Sequence, residues 1–311
     1  YMEAAAPKWP ALRQLDGELV FDRASMSLKV SKGLVADAPG LKVARATARI
    51  ADLSHNAVVE VDAFIDGPLN DALDVVRKSP LSDLTGGALA AARGSGAAAI
   101  RFGLNIPLQR IGHMKVKGSV ALPGNDIQIT PDTPMLARTR GTVEFSDRGF
   151  QVNGGTARLL GGDLQFAGGL GAAAEGVRFS GNGTATAEGL RQASFLGVVA
   201  QLADKATGQT TYTTQLAFGP AGPEVQVQTN LHGLQLDLPA PLNKAAGAHW
   251  PLRYSSRPTA APASGAPRTE QLMLDLADGQ APVLHLNLLR DTGASPSRTL
   301  KGVLAAGDAA R

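Results

Sequence analysis

The chain has 311 residues, 44% hydrophobic, 18% charged and 5% aromatic, with 36 Gly, 19 Pro and no Cys. Gly and Pro together stay below the roughly 25–30% at which low complexity becomes the default, and the lack of Cys removes disulfides, thiolate metal sites and cysteine nucleophiles at once. Lys and Arg (30) against Asp and Glu (27) leave a net charge of +3, and the densest basic stretches, residues 42–49 and 110–117, are interleaved with apolar residues at strand spacing, which argues for a solvated outer face and against a nucleic-acid partner.

From the N-terminus, alternation of apolar and polar residues marks one strand after another. Leu19 and Phe21, then Met26 to Val30, flank a turn at Asp22, and Pro39-Gly40 reads as the next turn. Val59 to Ile65 is a strand running into an Asp66-Gly67 turn. Residues 68–77, with Leu69, Leu73 and Val76 on one face, predict a short amphipathic helix stopped by Pro80, and a weaker Ala-rich pattern over 81–93 is interrupted at Gly86-Gly87. Ile100, Phe102, Leu104 and Ile106 alternate with Arg101, Gly103 and Asn105, and Met114, Val116, Gly118, Val120 and Leu122 follow before a Pro123-Gly124-Asn125 turn.

Val143 and Phe145, a turn at 147–149, and Phe150 and Val152 continue the pattern, as do Leu164 and Phe166 after Gly161-Gly162, and Val177 and Phe179. Residues 190–206, with Phe195, Val198, Val199 and Leu202 spaced by three and four, predict the longest helix, ending at Gly208. Strands return at 212–218, 225–231, 234–238, 272–276 and 284–288, with turns at Gly219-Pro220 and Asp278-Gly279, and the Pro, Ala and Ser of 255–269 predict a flexible loop. A loose repeat recurs in this order: residues 17–22 with 26–28, 141–146 with 149–152, and 117–122 with 127–129 each read as a hairpin, a unit that builds an array growing in one direction.

Two or three short helices cannot cover so many one-sided strands. Their apolar faces must close on one another as a sandwich or barrel core, or shelter an apolar ligand. Sheltering the roughly 30 methylenes of a two-chain phospholipid requires on the order of 20–25 kcal/mol at ~0.8 kcal/mol per methylene, which only a continuous apolar lining supplies. Ile100, Phe102, Leu104, Ile106, Val116, Val120, Leu122, Val143, Phe145 and Phe166 are the candidate lining.

The search for chemistry is empty. No nucleophile-elbow, P-loop, zinc-protease or dinucleotide motif occurs. His55, His113, His232, His249 and His285 lack the short spacing of metal ligands. Asp62 to Gly67 imitates the start of a calcium loop, but Phe64 takes the third position and Leu73 the twelfth, so a hairpin turn is expected. Residues 168–171, three of them Gly, read as a flexible turn rather than a phosphate cradle. No catalytic residue, metal site or cofactor is expected.

Several stretches carry a family resemblance. Trp9-Pro10-Ala11-Leu12, with Gly17, Leu19 and Phe21, resembles the W-P-x-L…G-x-L-x-F segment of the YhdP branch of the AsmA-like envelope proteins. Gly67-Pro68-Leu69, Ser79-Pro80-Leu81 and Leu104 to Leu108 are similar to the same branch. The most specific match is Gly233 to Lys244 followed by Trp250-Pro251-Leu252, which resembles its G-x-x-x-x-L-P-x-P-L-x-K…W-P-L signature; a structural turn is the expected role of 238–244.

The resemblance implies a mainly β chain, an elongated, curved antiparallel sheet forming an apolar, taco-like groove from repeated hairpins, with a few short helices. It implies the periplasmic segment of a protein anchored in the inner membrane of Gram-negative bacteria. It also implies phospholipid, with the inner and outer membranes, as partners, transport that supports the outer-membrane permeability barrier, and no enzymatic activity. The expected organisation is a groove segment over 1–256 with helical insertions near 68–93 and 190–206, a loop at 257–269 and further strands of the array over 270–311, the whole cut from a longer protein. The rival reading is an envelope scaffold or outer-membrane assembly factor that binds other envelope proteins by strand addition at its sheet edges.

Overall fold

A computed structural model describes residues 10–79, 81–84, 89–110, 113–131, 133–170, 176–219, 221–259, 269–279, 281–293 and 298–307. The fold is mainly β: among the described residues eighteen strands belong to one sheet, every registered pairing is antiparallel, and the helices are few and short. The residues group into two compact units, the first of residues 1–131, 137–155 and 169–174, the second of 132–136, 156–168 and 175–311.

In unit 1, β1 (Leu12–Asp22), β2 (Ser25–Val35), β3 (Ala38–Ile50), β4 (Val58–Pro68), β6 (Ala97–Pro107) and β7 (Lys115–Gln128) pair in succession. The two-residue β5 (Arg93–Gly94) pairs with the far end of β7. β8 (Leu136–Ser146) and β9 (Gly149–Leu159), which apart from Leu136 and residues 156–159 belong to this unit, follow, the turn between them falling at 147–148 as expected. Helix α1 (Leu69–Lys78) forms where the spacing predicts it: Pro68 precedes it, Asp71 lies in its first turn, Arg77 and Lys78 lie in its last, and Ser79 caps it. Only four residues of the weaker Ala-rich stretch are helical, α2 (Leu81–Leu84); Pro80 and Gly86-Gly87 lie outside the described residues.

In unit 2, β11 (Val177–Thr186), β12 (Ala206–Gly219), β13 (Gly222–Thr229), β15 (Leu252–Pro258), β16 (Thr269–Asp278), β17 (Ala281–Asp291) and β18 (Arg298–Ala306) pair in succession, while the short β14 (Leu234–Leu236) pairs with the start of β12. β10 (Gly161–Leu170) precedes them.

Several local expectations fail. Pro39-Gly40 lies inside β3, Asp66-Gly67 inside β4 and Pro123-Gly124-Asn125 inside β7, so the third hairpin repeat is one long strand and the calcium-loop look-alike is strand, not turn. In the first two places glycine serves close approach rather than a turn: a Cβ on Gly67 would stand 2.5 Å from the Gly40 carbonyl oxygen, and one on Gly40 would meet Pro68 and the Asp71 carboxylate. In the third, the buried Asn125 amide donates to the Ser95 and Ala97 carbonyls at 2.7 and 2.8 Å, clamping the chain extended.

Residues 168–170 belong to β10, and 255–258, expected in the loop, belong to β15; the rest of that loop from 260 to 268 lies outside the described residues. The long helix expected over 190–206 is broken into α3 (Ala187–Gln192), a 3-10 turn at 194–196, α4 (Val198–Leu202) and a second 3-10 turn at 203–205, and β12 begins at Ala206. Two causes act. Thr186 caps α3 by accepting from the Gly189 N–H at 3.0 Å, starting it earlier, and Gly197 at φ 57°, ψ −118° interrupts the helical path.

Candidate functional site

Residues directly opposite one another in an antiparallel ladder share a face, so the registers show what the face of unit 1 presents. Phe21, Met26, Ile50, Val59 and Ile106 form one apolar row across five strands. Leu19, Leu28, Ala48, Val61, Leu104 and Val116 form a second across six. Val30, Ala46, Ala63 and Phe102 form a third, and Val43, Ile65, Ile100 and Val120 a fourth.

The opposite face is polar. Lys42 stands across from Asp66 and Arg49 from Glu60, and the Phe64 ring lies between Arg45 and Arg101, whose guanidinium carbons are 3.8 and 4.5 Å from its centroid. One basic stretch is therefore an outer face of paired charges.

The candidate lining residues fall on this pattern unevenly. Ile100, Phe102, Leu104, Ile106, Val116 and Val120 come from β6 and β7 and lie in the four rows; Leu122 continues the β7 side. Phe145 reaches the same face, since a Cβ on Gly118 would lie 2.5 Å from the Phe145 ring, and Val143 packs with Val120 against the cluster holding Leu122. Phe166 belongs to unit 2, where it meets Phe179 edge to face at 6.4 Å.

Cover divides the nine in unit 1. Leu69 and Leu73 of α1 pack into the cluster of Ala98, Leu122, Val120 and Val143, and Ala72 and Val75 into that of Ala63, Ile65, Ile100 and Phe102. The third and fourth rows thus lie under α1. In the first two rows Ile50 and Val116 are buried at 4% and 5%, Leu104 and Ile106 are half-buried, and toward β1 the face is bare, with Leu19 at 53% and Phe21 at 63% exposure.

The sequence reading omitted the equivalent face of unit 2, although its alternation was visible. Leu252, Leu276 and Leu284 form one row, Tyr254, Leu274, Leu286 and Leu304 another, Ser256, Leu272 and Leu288 a third. Ala187 and Leu190 of α3, Val199 of α4 and Ala203 pack on it, with Leu234, Leu236, Leu242 and Trp250.

The most specific sequence signature is structural here. Residues 239–242 turn, as expected, and return the chain to a bridge between Leu236 and Lys244. Lys244 is 1% exposed, and its ammonium donates to the carbonyls of Leu231 and Leu234 at 2.8 Å and of Ala245 at 3.1 Å, while burial pulls its pKa down.

Among the described residues no three His, Asp or Glu side chains cluster as metal ligands, and no helix is long and apolar enough to cross a membrane. Two of the scattered histidines do meet: the rings of His232 and His249 stack at 4.5 Å.

The tyrosines of unit 2 report desolvation. The Tyr212 hydroxyl has no hydrogen-bond partner among the described residues, and its ring covers Gly183, so burial pushes its pKa up to about 12. Burial first and Glu270 second push Tyr254 up to about 12 as well. An unfolded tyrosine ionises near 10, so the unfolded chain holds fewer protons above that pH, and the stability these rings contribute is present below pH 10 and lost between 10 and 12. Urea unfolding across pH 9–12 should show that fall. Tyr212→Phe, which also removes an unpaired hydroxyl, should reduce that fall to the share of Tyr254 without loss of stability at pH 7.

The family model described as YhdP protein matches residues 5–291. The chain belongs to the YhdP family. It is 28% identical over 253 residues to the intermembrane phospholipid transporter YhdP of Escherichia coli (strain K12), an alignment covering 78% of this chain and 19% of that protein, so the chain spans a minor part of that YhdP's length. No solved structure matches. The matched region takes in all of β1 to β17, hence both apolar faces and the Lys244 turn.

Proposed function

We propose that this segment carries phospholipid between the inner and outer membranes, sheltering acyl chains on its apolar sheet face in the periplasm and so supporting the outer-membrane permeability barrier. The observation that carries this reading is the pair of apolar rows in unit 1 that run out to an exposed end on β1, above all the unbroken run Leu19, Leu28, Ala48, Val61, Leu104, Val116, which passes from a buried Val116 through half-buried positions to Leu19 at 53% exposure. Toward β1 this face, free of charge and exposed at Leu19 and Phe21, lacks the water-excluding partner that a sealed core has. The family relative, itself an intermembrane phospholipid transporter, supports the same cargo, and no enzymatic step is assigned to the chain. Headgroups stay outside in water, and the path runs along the side of the face that α1 leaves open.

Purified protein extracted with organic solvent should yield stoichiometric phospholipid by mass spectrometry, and delipidated protein should take up a fluorescent phospholipid. Neither lipid nor uptake would remove the carrier reading. The scaffold reading draws on a different observation: β1 and β18, each registered against a single neighbour, expose Phe21, Val303 and Leu304 at 60% or more, surfaces that strand addition by another envelope protein would cover.

A further inference from the structure

Among the described residues β1 is registered only against β2 and β18 only against β17. Every residue of β1 is exposed, and every residue of β18 except Ala305. Edge strands of folded proteins are ordinarily kept from pairing by a bulge, a proline or a charge. Here the bulges leave half of each strand regular. On β1 the register shifts lie between Arg13 and Gly17, so 17–22 runs unbroken; on β18 the shift lies between Thr299 and Lys301, so 301–306 does too. Neither run contains proline, and between them they hold Leu19, Val20, Phe21, Val303 and Leu304, at 42% to 65% exposure.

The two runs are equal in length and complementary in sequence. Laid antiparallel with Gly17 against Ala306 and Asp22 against Lys301, they set Leu19 opposite Leu304, Val20 opposite Val303 and Phe21 opposite Gly302. Residues opposite one another share a face, and this register keeps the faces already present. Leu19 belongs to the row of Leu28 and Ala48, and Leu304 to that of Leu286 and Leu274, so one apolar row meets another. Phe21 faces a residue without a side chain, and the one charged pair is of opposite sign. A slip of one residue turns an apolar face outward, and a slip of two sets Asp22 opposite Val303 or Val20 opposite Lys301.

Charge also decides which edges meet. β1 carries Asp16, Glu18 and Asp22 against Arg13, whereas β18 carries Arg298 and Lys301 and no acid. Like edges repel and unlike edges attract. We propose that β1 and β18 form a head-to-tail interface between copies of this chain, residues 17–22 of one copy pairing antiparallel with 301–306 of the next. The contact is heterologous, so each addition leaves one edge of each kind free. It needs no lipid and stands apart from the carrier reading.

Six residue pairs are far fewer than the roughly 20–30 residues a side of a standard interface, so the association is weak and is measured at high concentration. In sedimentation equilibrium, the mass of the delipidated chain should rise past that of a dimer between micromolar and near-millimolar concentration. Asp22→Lys and Lys301→Asp each set like charges opposite one another at exposed positions, where folding is little affected. Each variant alone should associate about ten-fold more weakly than wild type. In an equimolar mixture of the two, contacts between unlike copies again join opposite charges, and the wild-type mass should return. A chain that stays monomeric throughout, a mass that levels at the dimer as pairing of like edges requires, or a mixture no heavier than its components overturns the interface. Phospholipid uptake by such a chain would leave the carrier reading intact.

Discussion

Replacing Leu104 by Asp should reduce phospholipid uptake at least ten-fold while leaving unit 1 folded. Leu104 stands between Val61 and the buried Val116 in the row that runs out to the exposed Leu19, is half-buried, and is not among the residues that pack with α1. A carboxylate there keeps access to water in the empty protein, so folding loses little. An acyl chain laid along the row would strip that water, and the cost of several kcal/mol for an unpaired buried charge exceeds the ~1.4 kcal/mol that a ten-fold loss represents. Ile106→Asp should behave alike. The contrast is Ile65→Asp: Ile65 is 8% exposed in the cluster that Ala72 of α1 closes, so its carboxylate is buried in the empty protein too, and unit 1 should unfold. Fluorescent-lipid uptake, read beside circular dichroism, separates the two classes. Unchanged uptake by a folded Leu104→Asp variant would show that the row is not the path.

The second large effect falls on stability. Lys244→Met keeps the apolar stem but withdraws a donor shared by three carbonyls, those of Leu231, Leu234 and Ala245. The Leu231 and Ala245 carbonyls keep the Leu234 and Ala248 N–H groups at 3.2 and 3.1 Å, so the cost falls mainly on the Leu234 carbonyl, and a loss of roughly 1–3 kcal/mol is expected. Lys244→Arg should not rescue it, because a planar fork cannot send three N–H groups from one atom into a site 1% exposed. Urea denaturation followed by the buried Trp250 measures the change, and a midpoint within error of wild type would refute the clamp. The lowered pKa of Lys244 adds a signature. Its unfolded form binds the proton more tightly, so between the folded value and about 10.5 it adds stability as pH rises, a contribution the Met variant lacks.

Much of this was legible in the residues alone. Alternation from Ile100 to Ile106 and from Val116 to Leu122 placed β6 and β7 and assigned a face to each side chain, because the side-chain period of a strand is local geometry. Helix α1 was equally local, an apolar stripe with a Pro entry. Turn chemistry misled where glycine served another purpose. Gly40 and Gly67 look like turn residues beside Pro39 and Asp66, yet they lie where two strands and a helix start approach too closely for a Cβ. Asn125 looks like a turn residue too, and instead spends its amide on carbonyls some thirty residues away. The break at Gly197 escaped a reading that weighed the spacing of Phe195, Val199 and Leu202 above one glycine.

What the sequence determined by itself is the strand-rich, charge-alternating character of the chain, its one-sided apolar faces and its membership of the YhdP family. Tertiary structure alone decided which parts of those faces are covered. Val120 and Leu104 are equivalent in any alternation pattern, yet one lies beneath α1 and the other does not. It likewise brought Glu270 to Arg290 and turned Lys244 inward onto three carbonyls. The reason is range: side-chain direction is set by each residue's own backbone, whereas cover and charge pairing depend on register between strands far apart in the chain, which no local pattern encodes.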